Sequence, residues 1–250
     1  MQRPSVRFSA HPVMPQELRV MTWNVGYFAI TPNKNMRDVD VPVVSEIIQQ
    51  SGAQVVFLQE LGSKAQADAI AATLGAPWHS TAYETGHAGQ VIATLSVFPI
   101  LAHQALTCGD RQAVGVTLQL PAQRPCYTLN LHAPHPVRGI ELNAQSIRTA
   151  LHHTQQQPAA VKLVGGDWNY DFEMRADDPL HALAQAQFAD STYDLGRTYY
   201  ARTRIDHLFH TPQTLTVQPA SSGMGVPPAR YALVPGVRDH RPIIVSYAVQ

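Results

Sequence analysis

The sequence has little charge, little cysteine and no long apolar run. Only 14% of its 250 residues are charged, against about 25% in typical usage. The 18 basic residues balance the 18 acidic ones, which argues against a basic coat for nonspecific nucleic-acid binding but leaves a local basic groove open. With two cysteines, Cys108 and Cys126, a disulfide scaffold and a cysteine-rich zinc module are excluded. No run approaches the roughly 18 apolar residues of a membrane helix.

What is present fits a globular protein, because hydrophobic residues make up 45% of the chain. The first residues carry Pro, Arg, His and Gln where a signal peptide has an apolar stretch, which predicts a cytoplasmic protein. Residues 1–17 read as a polar, flexible arm, and residues 18–250 as one domain, because no linker or fixed-period repeat divides them. We expect a monomer.

Hydrophobic patterning predicts helices over 36–51, 64–74 and 139–156, with Gly75 ending the second. The positions expected to face the core are Val39, Val43, Ile47, Ile48, Ile70, Leu74, Ile140, Ile147 and Leu151. Apolar runs predict strands at 18–25, 53–60, 90–100, 113–120, 126–133, 160–169, 204–211, 214–219 and 242–249. Strands and helices alternate first and strands dominate later, which favours an α/β sandwich whose sheets are covered by helices.

Polar side chains recur at the ends of these strands, where ligand sites of α/β folds lie. They are Asn24, Glu60, His132, Asp167, Asn169, Asp206, Asp239 and His240. Carboxylate and amide oxygens suit Mg²⁺ or Mn²⁺. Zinc fits less well, because the chain has no histidine pair at the zincin spacing and no cluster of thiolates.

Taken one at a time, these residues have ordinary interpretations. Glu60 can be a solvated acid at a strand end, and Asn24 can be a cap. The pairs Gly166-Asp167 and Asp239-His240 can belong to turns or loops. Four other histidines, His135, His152, His153 and His210, are interpreted as structural or surface residues.

Six short motifs occur in one order along the chain and carry a family resemblance. They are TWNV (22–25), LQE (58–60), LNLHAP (129–134), GGDWN (165–169), RIDHLF (204–209) and RDHRPI (238–243). This series resembles the motifs of the endonuclease/exonuclease/phosphatase superfamily, a group of DNase I-like metal-dependent phosphoesterases, over about residues 18–248. The resemblance implies a four-layered α/β sandwich with two central mixed β-sheets flanked by helices.

The resemblance also implies a metal site. Glu60 resembles the principal Mg²⁺ ligand, Asn24 the amide that supports the metal or the phosphate, and Asp239 a carboxylate near the metal. Mg²⁺ is the expected cofactor, with Mn²⁺ as a substitute.

The catalytic groups are implied in the same way. Asp167 resembles the group that orients or activates the attacking water, and Asn169 a donor to a phosphate oxygen. His240 resembles the catalytic histidine, and Asp206 resembles its orienting partner, which would raise the imidazolium fraction of His240. His132 matches the branch of the family in which a histidine after the middle strand donates to the phosphate.

The expected activity is therefore Mg²⁺-dependent phosphodiester hydrolysis by a nuclease or a nucleotide-type phosphodiesterase. Two alternatives stay open: a lipid-headgroup phosphodiesterase or phosphate monoesterase using the same site, and a non-catalytic binding protein. Codon bias explains an excess of arginine, and packing or rim positions are the commoner interpretation of single aromatic residues. Nucleic acid is nevertheless a candidate substrate, because arginines gather in the C-terminal third and three aromatic rings can stack on bases. These residues are Arg197, Arg202, Arg204, Arg230, Arg238, Arg241, Trp168, Tyr199 and Tyr200.

Overall fold

The computed structural model describes residues 16–26, 35–172, 179–199, 203–224 and 240–250. The helices there are α1 Val41–Ser51, α2 Lys64–Leu74, α3 Ile140–Gln155 and α4 Pro179–Gln187. The strands are β1 Gln16–Asn24, β2 Val55–Leu61, β3 His79–Glu84, β4 Val91–Ser96, β5 Ile100–Cys108, β6 Arg111–Leu120, β7 Arg124–His132, β8 Val161–Asp167, β9 Ala189–Asp190, β10 Asp206–His210, β11 Leu215–Val217, β12 Gly223–Met224 and β13 Ile243–Val249. Among these described helices, none has both the length and the apolar character that crossing a bilayer requires.

The strands form two mixed sheets. The first sheet has the order β11-β13-β1-β2-β4-β3, with β12 also paired to β13, and the second has the order β5-β6-β7-β8-β10-β9. Each sheet contains one parallel pair, β1 with β2 and β7 with β8, and its other described pairs are antiparallel.

The two parallel pairs explain why the polar strand ends come together. The carboxyl ends of parallel strands lie at one edge of a sheet, so β1 and β2 bring Asn24 and Glu60 to the same edge. In the second sheet, β7 and β8 place His132 beside Asp167. Strand β10 runs antiparallel to β8, and its first residue, Asp206, pairs with Asp167.

Alternating side chains divide the core into layers. In β1, Val20 packs between the two sheets, whereas Met21 points to the outer face and packs with α1 and α2. The outer face of the second sheet packs against α3 and α4, whose Ile147 and Leu180 join Leu129 of β7 in one apolar cluster. The layers are therefore helices, sheet, sheet and helices, and the predicted four-layered sandwich is confirmed.

Several local predictions need correction. Helix α1 begins at Val41, with a proline in its first turn, and Val39 lies before it with 57% of its surface exposed. Ile140 is the first residue of α3 and is 49% exposed, because the first turn of this helix faces solvent. Strand β1 begins at Gln16, two residues before the predicted start of the domain, and residues 1–15 lie outside the described residues. Helix α2 occupies the predicted range and ends at Gly75.

Strands β3 and β5 and helix α4 were not predicted. Strand β5 is an edge strand whose residues from Leu101 to Ala105 are exposed. Because neither face of this stretch packs into the core, its sequence has no apolar alternation from which a strand could be predicted. Strand β3 forms the edge of the other sheet and is also mainly polar.

Gly166 is required by the backbone next to Asp167. Its φ is +131°, and a Cβ at this position would overlap the carbonyl oxygen of Leu131 in β7. We expect Gly166→Ala to lower the free energy of unfolding by about 2–4 kcal/mol, because it combines backbone strain with overpacking. The control is Gly196→Ala, since Gly196 also has a positive φ, +76°, but a Cβ there would have no neighbour within 4 Å. Urea unfolding measures both variants, and equal losses would contradict the steric argument.

Candidate active site

The predicted site residues converge on one cleft of about 260 Å³. Six of the eight line it: Asn24, Glu60, His132, Asp167, Asn169 and His240. Asp206 is buried behind His240 and is hydrogen-bonded to it. Asp239 lies outside the described residues.

Asp206 fixes the orientation of the His240 imidazole. Nδ1 of His240 lies 2.9 and 2.8 Å from the two carboxylate oxygens of Asp206. The Thr198 hydroxyl donates to Oδ2 of Asp206 at 2.7 Å, which holds the carboxylate in place. Nε2 of His240 is thereby directed towards Asp167, 3.7 Å from its Oδ2.

The electrostatic surroundings favour the charged form of His240. Burial alone lowers the pKa of His240, but the carboxylates of Asp206 and Asp167 outweigh it and raise this pKa to about 10. This rise favours the imidazolium form, in which each ring nitrogen carries a proton. In this state His240 can donate to a phosphoryl or leaving-group oxygen.

Asp167 is held by two amide groups. Its Oδ2 accepts a hydrogen bond from Nδ2 of Asn24 at 2.9 Å, and its Oδ1 accepts from the backbone N–H of Asn169 at 2.9 Å. Burial raises the pKa of Asp167, and the positive charge of His240 and these two hydrogen bonds only partly offset the rise. A carboxylate with a raised pKa is a better proton acceptor than an exposed one.

Glu60 reaches the cleft from an irregular point in β2. Its φ is +61°, a left-handed conformation that is uncommon for residues other than glycine. The register between β2 and β4 shifts between Leu58 and Leu61, so Glu60 lies in a bulge. The backbone N–H of Met36 donates to the Glu60 carbonyl at 2.8 Å and holds this conformation. Bulges of this kind redirect side chains next to active sites.

His132 lies between the two carboxylates that come from different sheets. Its Nε2 is 3.6 Å from Oε1 of Glu60 and 3.5 Å from Oδ2 of Asp167. His132 is 2% exposed, so this nitrogen is accessible only from inside the cleft.

Buried amides join the sheets directly beneath these residues. Nε2 of Gln59, next to Glu60, donates to Oδ1 of Asn130 in β7 at 2.7 Å. Nδ2 of Asn130 donates in turn to the carbonyl oxygens of Leu58 at 3.2 Å and Ala93 at 2.7 Å. This amide bridge, formed by Gln59 and Asn130, ties the Glu60 bulge to the sheet that carries His132 and Asp167.

Arg111 is a cleft residue that the sequence analysis missed. It opens β6 and is 4% exposed, and among the described residues its Nε and Nη1 have no hydrogen-bond partner. Burial lowers its pKa, whereas the carboxylates of Asp167 and Glu60 raise it. The sequence feature that could have identified Arg111 is a basic residue just before the apolar residues of a buried strand.

Three further basic residues line the cleft: His87, His135 and Arg138. His135 is an exposed residue that caps the short helix after β7, as its interpretation as a structural or surface residue predicts, and it also lines the cleft. Tyr199 also lines the cleft, and its ring centroid is 4.7 Å from that of His240.

The predicted stacking and arginine surfaces are only partly present. Trp168 is fully buried and stacks on Phe209, so it is not available to a base. Arg204 is also buried and forms an ion pair with Asp190 at 2.7 Å. Arg197 and Arg241 are exposed and do not line the described cleft. Tyr200, Arg202, Arg230 and Arg238 lie outside the described residues.

The fold is an α/β sandwich of two mixed sheets with flanking helices, and its cleft is lined by acidic residues and histidines. This combination is typical of phosphoesterases. The profile of the Endonuclease/Exonuclease/phosphatase family matches residues 21–229. The chain belongs to this family, whose members are hydrolases that act on phosphoester bonds. A comparison with curated proteins finds no match.

Solved structures with this fold include distant relatives of the chain. An endonuclease/exonuclease/phosphatase from Beutenbergia cavernae is 19% identical with a TM-score of 0.70, over 93% of this chain and 72% of that one. A mannosyl-6-phosphatase from Bacteroides thetaiotaomicron is 16% identical with a TM-score of 0.69, over 92% and 99%. The human nocturnin catalytic domain, solved with a bound sulfate anion, is 15% identical with a TM-score of 0.70, over 94% and 95%.

Proposed function

We propose that this protein is a Mg²⁺-dependent phosphoesterase that hydrolyses a phosphodiester of the nucleotide or nucleic-acid type. The observation that carries the proposal is the convergence of Glu60, Asp167 and the Asp206–His240 pair on one cleft. Residues from both sheets line the site, from Asn24 in β1 to His240 just before β13, so we treat residues 18–250 as a single catalytic domain.

The donor set at Glu60 fits a hard divalent cation. The Glu60 carboxylate and the Asn24 amide oxygen supply oxygen ligands, with Asp239 proposed as a further carboxylate. Asp167, Asp206 and His240 also bring ligand atoms within 4.8 Å of one another. However, Nδ1 of His240 is already hydrogen-bonded to Asp206, and both carboxylate oxygens of Asp167 accept hydrogen bonds, so we assign these three residues to proton transfer instead. When bound, the cation polarises a phosphoryl oxygen and offsets its developing charge.

The remaining residues supply proton transfer and hydrogen bonds. Asp167 accepts a proton from the attacking water, whose orientation depends on the carboxylate held by Asn24 and Asn169. As the new P–O bond forms, the ester P–O bond breaks, and His240 donates its Nε2 proton to the leaving oxygen while Asp206 stabilises the imidazolium. Asn169 and His132 donate to the other phosphoryl oxygens.

A phosphate monoester is the second candidate substrate, and Arg111 favours it. A monoester carries one more negative charge than a diester, and the guanidinium of Arg111 adds a buried positive charge to a cleft rich in carboxylates. The relative from Bacteroides thetaiotaomicron is a phosphatase by name.

Assays with Mg²⁺, Mn²⁺ or EDTA test the proposal. The substrates are single- and double-stranded DNA, RNA, a nitrophenyl diester, a lipid diester in mixed micelles, and phosphate monoesters. Metal-dependent cleavage of nucleic acids or nucleotide diesters supports the first candidate, and cleavage of monoesters alone supports the second. Metal binding without turnover of any substrate would indicate a non-catalytic binding protein.

Arg111 provides a separate prediction. We expect Arg111→Met to lower kcat/KM by about 10- to 100-fold, because the variant loses charged hydrogen bonds to phosphate. The matched control is Arg124→Met, which changes an arginine that does not line the cleft. Steady-state kinetics measure the effect, with thermal melting to verify the fold, and a wild-type kcat/KM in a folded Arg111→Met protein would contradict the role.

A further inference from the structure

A second group of basic side chains lies at the rim of the cleft. This rim cluster consists of His87, His135 and Arg138. His87 belongs to the turn between β3 and β4, whereas the other two lie in and beside the short 3₁₀ helix Pro136–Arg138 that follows β7. Arg138 is 37% exposed at its side chain, so it can reach a ligand at the cleft mouth.

Hydrogen bonds position the donors of the rim cluster. Nη1 of Arg138 donates to Nδ1 of His87 at 3.3 Å, and the backbone N–H of Val137 donates to Nδ1 of His135 at 3.2 Å. Because both Nδ1 atoms accept, each neutral ring carries its proton on Nε2, where it acts as a donor. Nη2 of Arg138 also contacts Oδ2 of Asp110 at 2.5 Å. These two contacts involve two of the five N–H groups of Arg138.

The rim cluster is connected to the proposed phosphoester site through Arg111. Arg111 interacts electrostatically with Asp167 and Glu60 and also with Asp110 and Arg138. Beside the rim cluster, the two guanidinium groups of Arg111 and Arg138 are accompanied by one carboxylate, Asp110, whereas the carboxylates of Glu60 and Asp167 belong to the proposed phosphoester site. Arginine forks and imidazole N–H groups together suit the tetrahedral oxyanion of a phosphate.

We propose that the rim cluster binds a second phosphate group of the substrate, next to the phosphate that is hydrolysed. This inference rests on the proposed function, which places the hydrolysed phosphate among Glu60, Asp167 and His240. The preferred substrate then carries two phosphates, either on one small molecule or as neighbouring phosphates of a nucleic-acid chain.

Paired substrates test the proposal in the whole 250-residue chain with Mg²⁺. One pair is adenosine monophosphate and adenosine bisphosphate, and the other is a thymidine dinucleotide without and with a terminal phosphate. In each pair the ratio of the two kcat/KM values measures the effect of the second phosphate. Arg138→Gln is compared with wild type, and Arg148→Gln serves as the control because Arg148 is an exposed residue of α3 outside the cleft.

We expect the second phosphate to raise the wild-type kcat/KM by about 10- to 100-fold in at least one pair, the range for charged hydrogen bonds. The pair that shows the gain identifies the source of the second phosphate. Arg138→Gln should abolish the gain, and Arg148→Gln should retain it. A wild-type protein without a gain, or an Arg138→Gln protein that keeps it, overturns the proposal.

Calorimetry separates this proposal from the proposed function. If no substrate is hydrolysed, the proposed function fails, and binding of the same ligands still tests the rim cluster. Tighter binding of adenosine bisphosphate than of adenosine monophosphate by wild type, lost in Arg138→Gln, supports a second phosphate site. Equal binding of the two ligands by wild type overturns it.

Discussion

Replacement of His240 by alanine is expected to lower the turnover number by roughly 10²–10⁴-fold, the range for loss of a general acid or base. The physical reason is the loss of a protonated Nε2 that the two carboxylates around it keep charged at neutral pH. Single-turnover measurements with saturating Mg²⁺ report this effect directly, because they separate chemistry from product release.

Two other variants serve as controls for the His240→Ala result. His153→Ala removes a histidine of α3 that does not line the cleft and should keep wild-type turnover. Asp206→Asn keeps the shape of the orienting residue but removes its charge, so it should also lower turnover. A folded His240→Ala protein with wild-type turnover would show that the catalytic assignment is wrong.

Replacement of Glu60 by glutamine is expected to raise the Mg²⁺ concentration for half-maximal activity by at least ~100-fold. Loss of an outer partner of a metal ligand already costs ~10- to 100-fold in metal affinity, and Glu60 is proposed as a direct ligand. Calorimetric titration with Mn²⁺ measures binding independently of turnover. Glu46→Gln, on α1, is the matched control because Glu46 does not line the cleft.

If Glu60→Gln needed the same Mg²⁺ concentration as wild type, the metal would have to be assigned to a different set of ligands. The alternative available among the described residues is the group of Asp167, Asp206 and His240. In that case His240→Ala would weaken Mn²⁺ binding, which the present assignment does not predict.

The strand-end rule explains why much of the site could be predicted from the sequence. Asn24, His132 and Asp167 follow apolar runs that are long enough to identify as buried strands, and parallel pairing brings their ends together. Asp206 begins its strand, and the antiparallel register with β8 places it beside Asp167. The resemblance of six ordered motifs supplied the assignment of individual roles, which patterning alone left open.

The residues that were missed contribute to the cleft in other ways. Arg111 begins a strand, Arg138 ends a short 3₁₀ helix and His87 lies in a turn, so no apolar run ends at any of them. Their positions depend on how β6 and the loops after β3 and β7 pack around the strand ends. Trp168, for which packing was the commoner interpretation, points into the core beside Phe209. Local patterning does not determine which side of a strand end a side chain faces.

Because the site is divided between two sheets, catalysis depends on how accurately the two sheets are aligned. Asn24 and Glu60 belong to one sheet, whereas His132 and Asp167 belong to the other. Sliding the sheets past each other by one residue would separate these halves by ~3.3 Å, and a misplacement of ~1 Å already costs ~100-fold in rate. The amide bridge of Gln59 and Asn130 opposes such sliding. Turnover is therefore a sensitive measure of how accurately the two sheets are aligned.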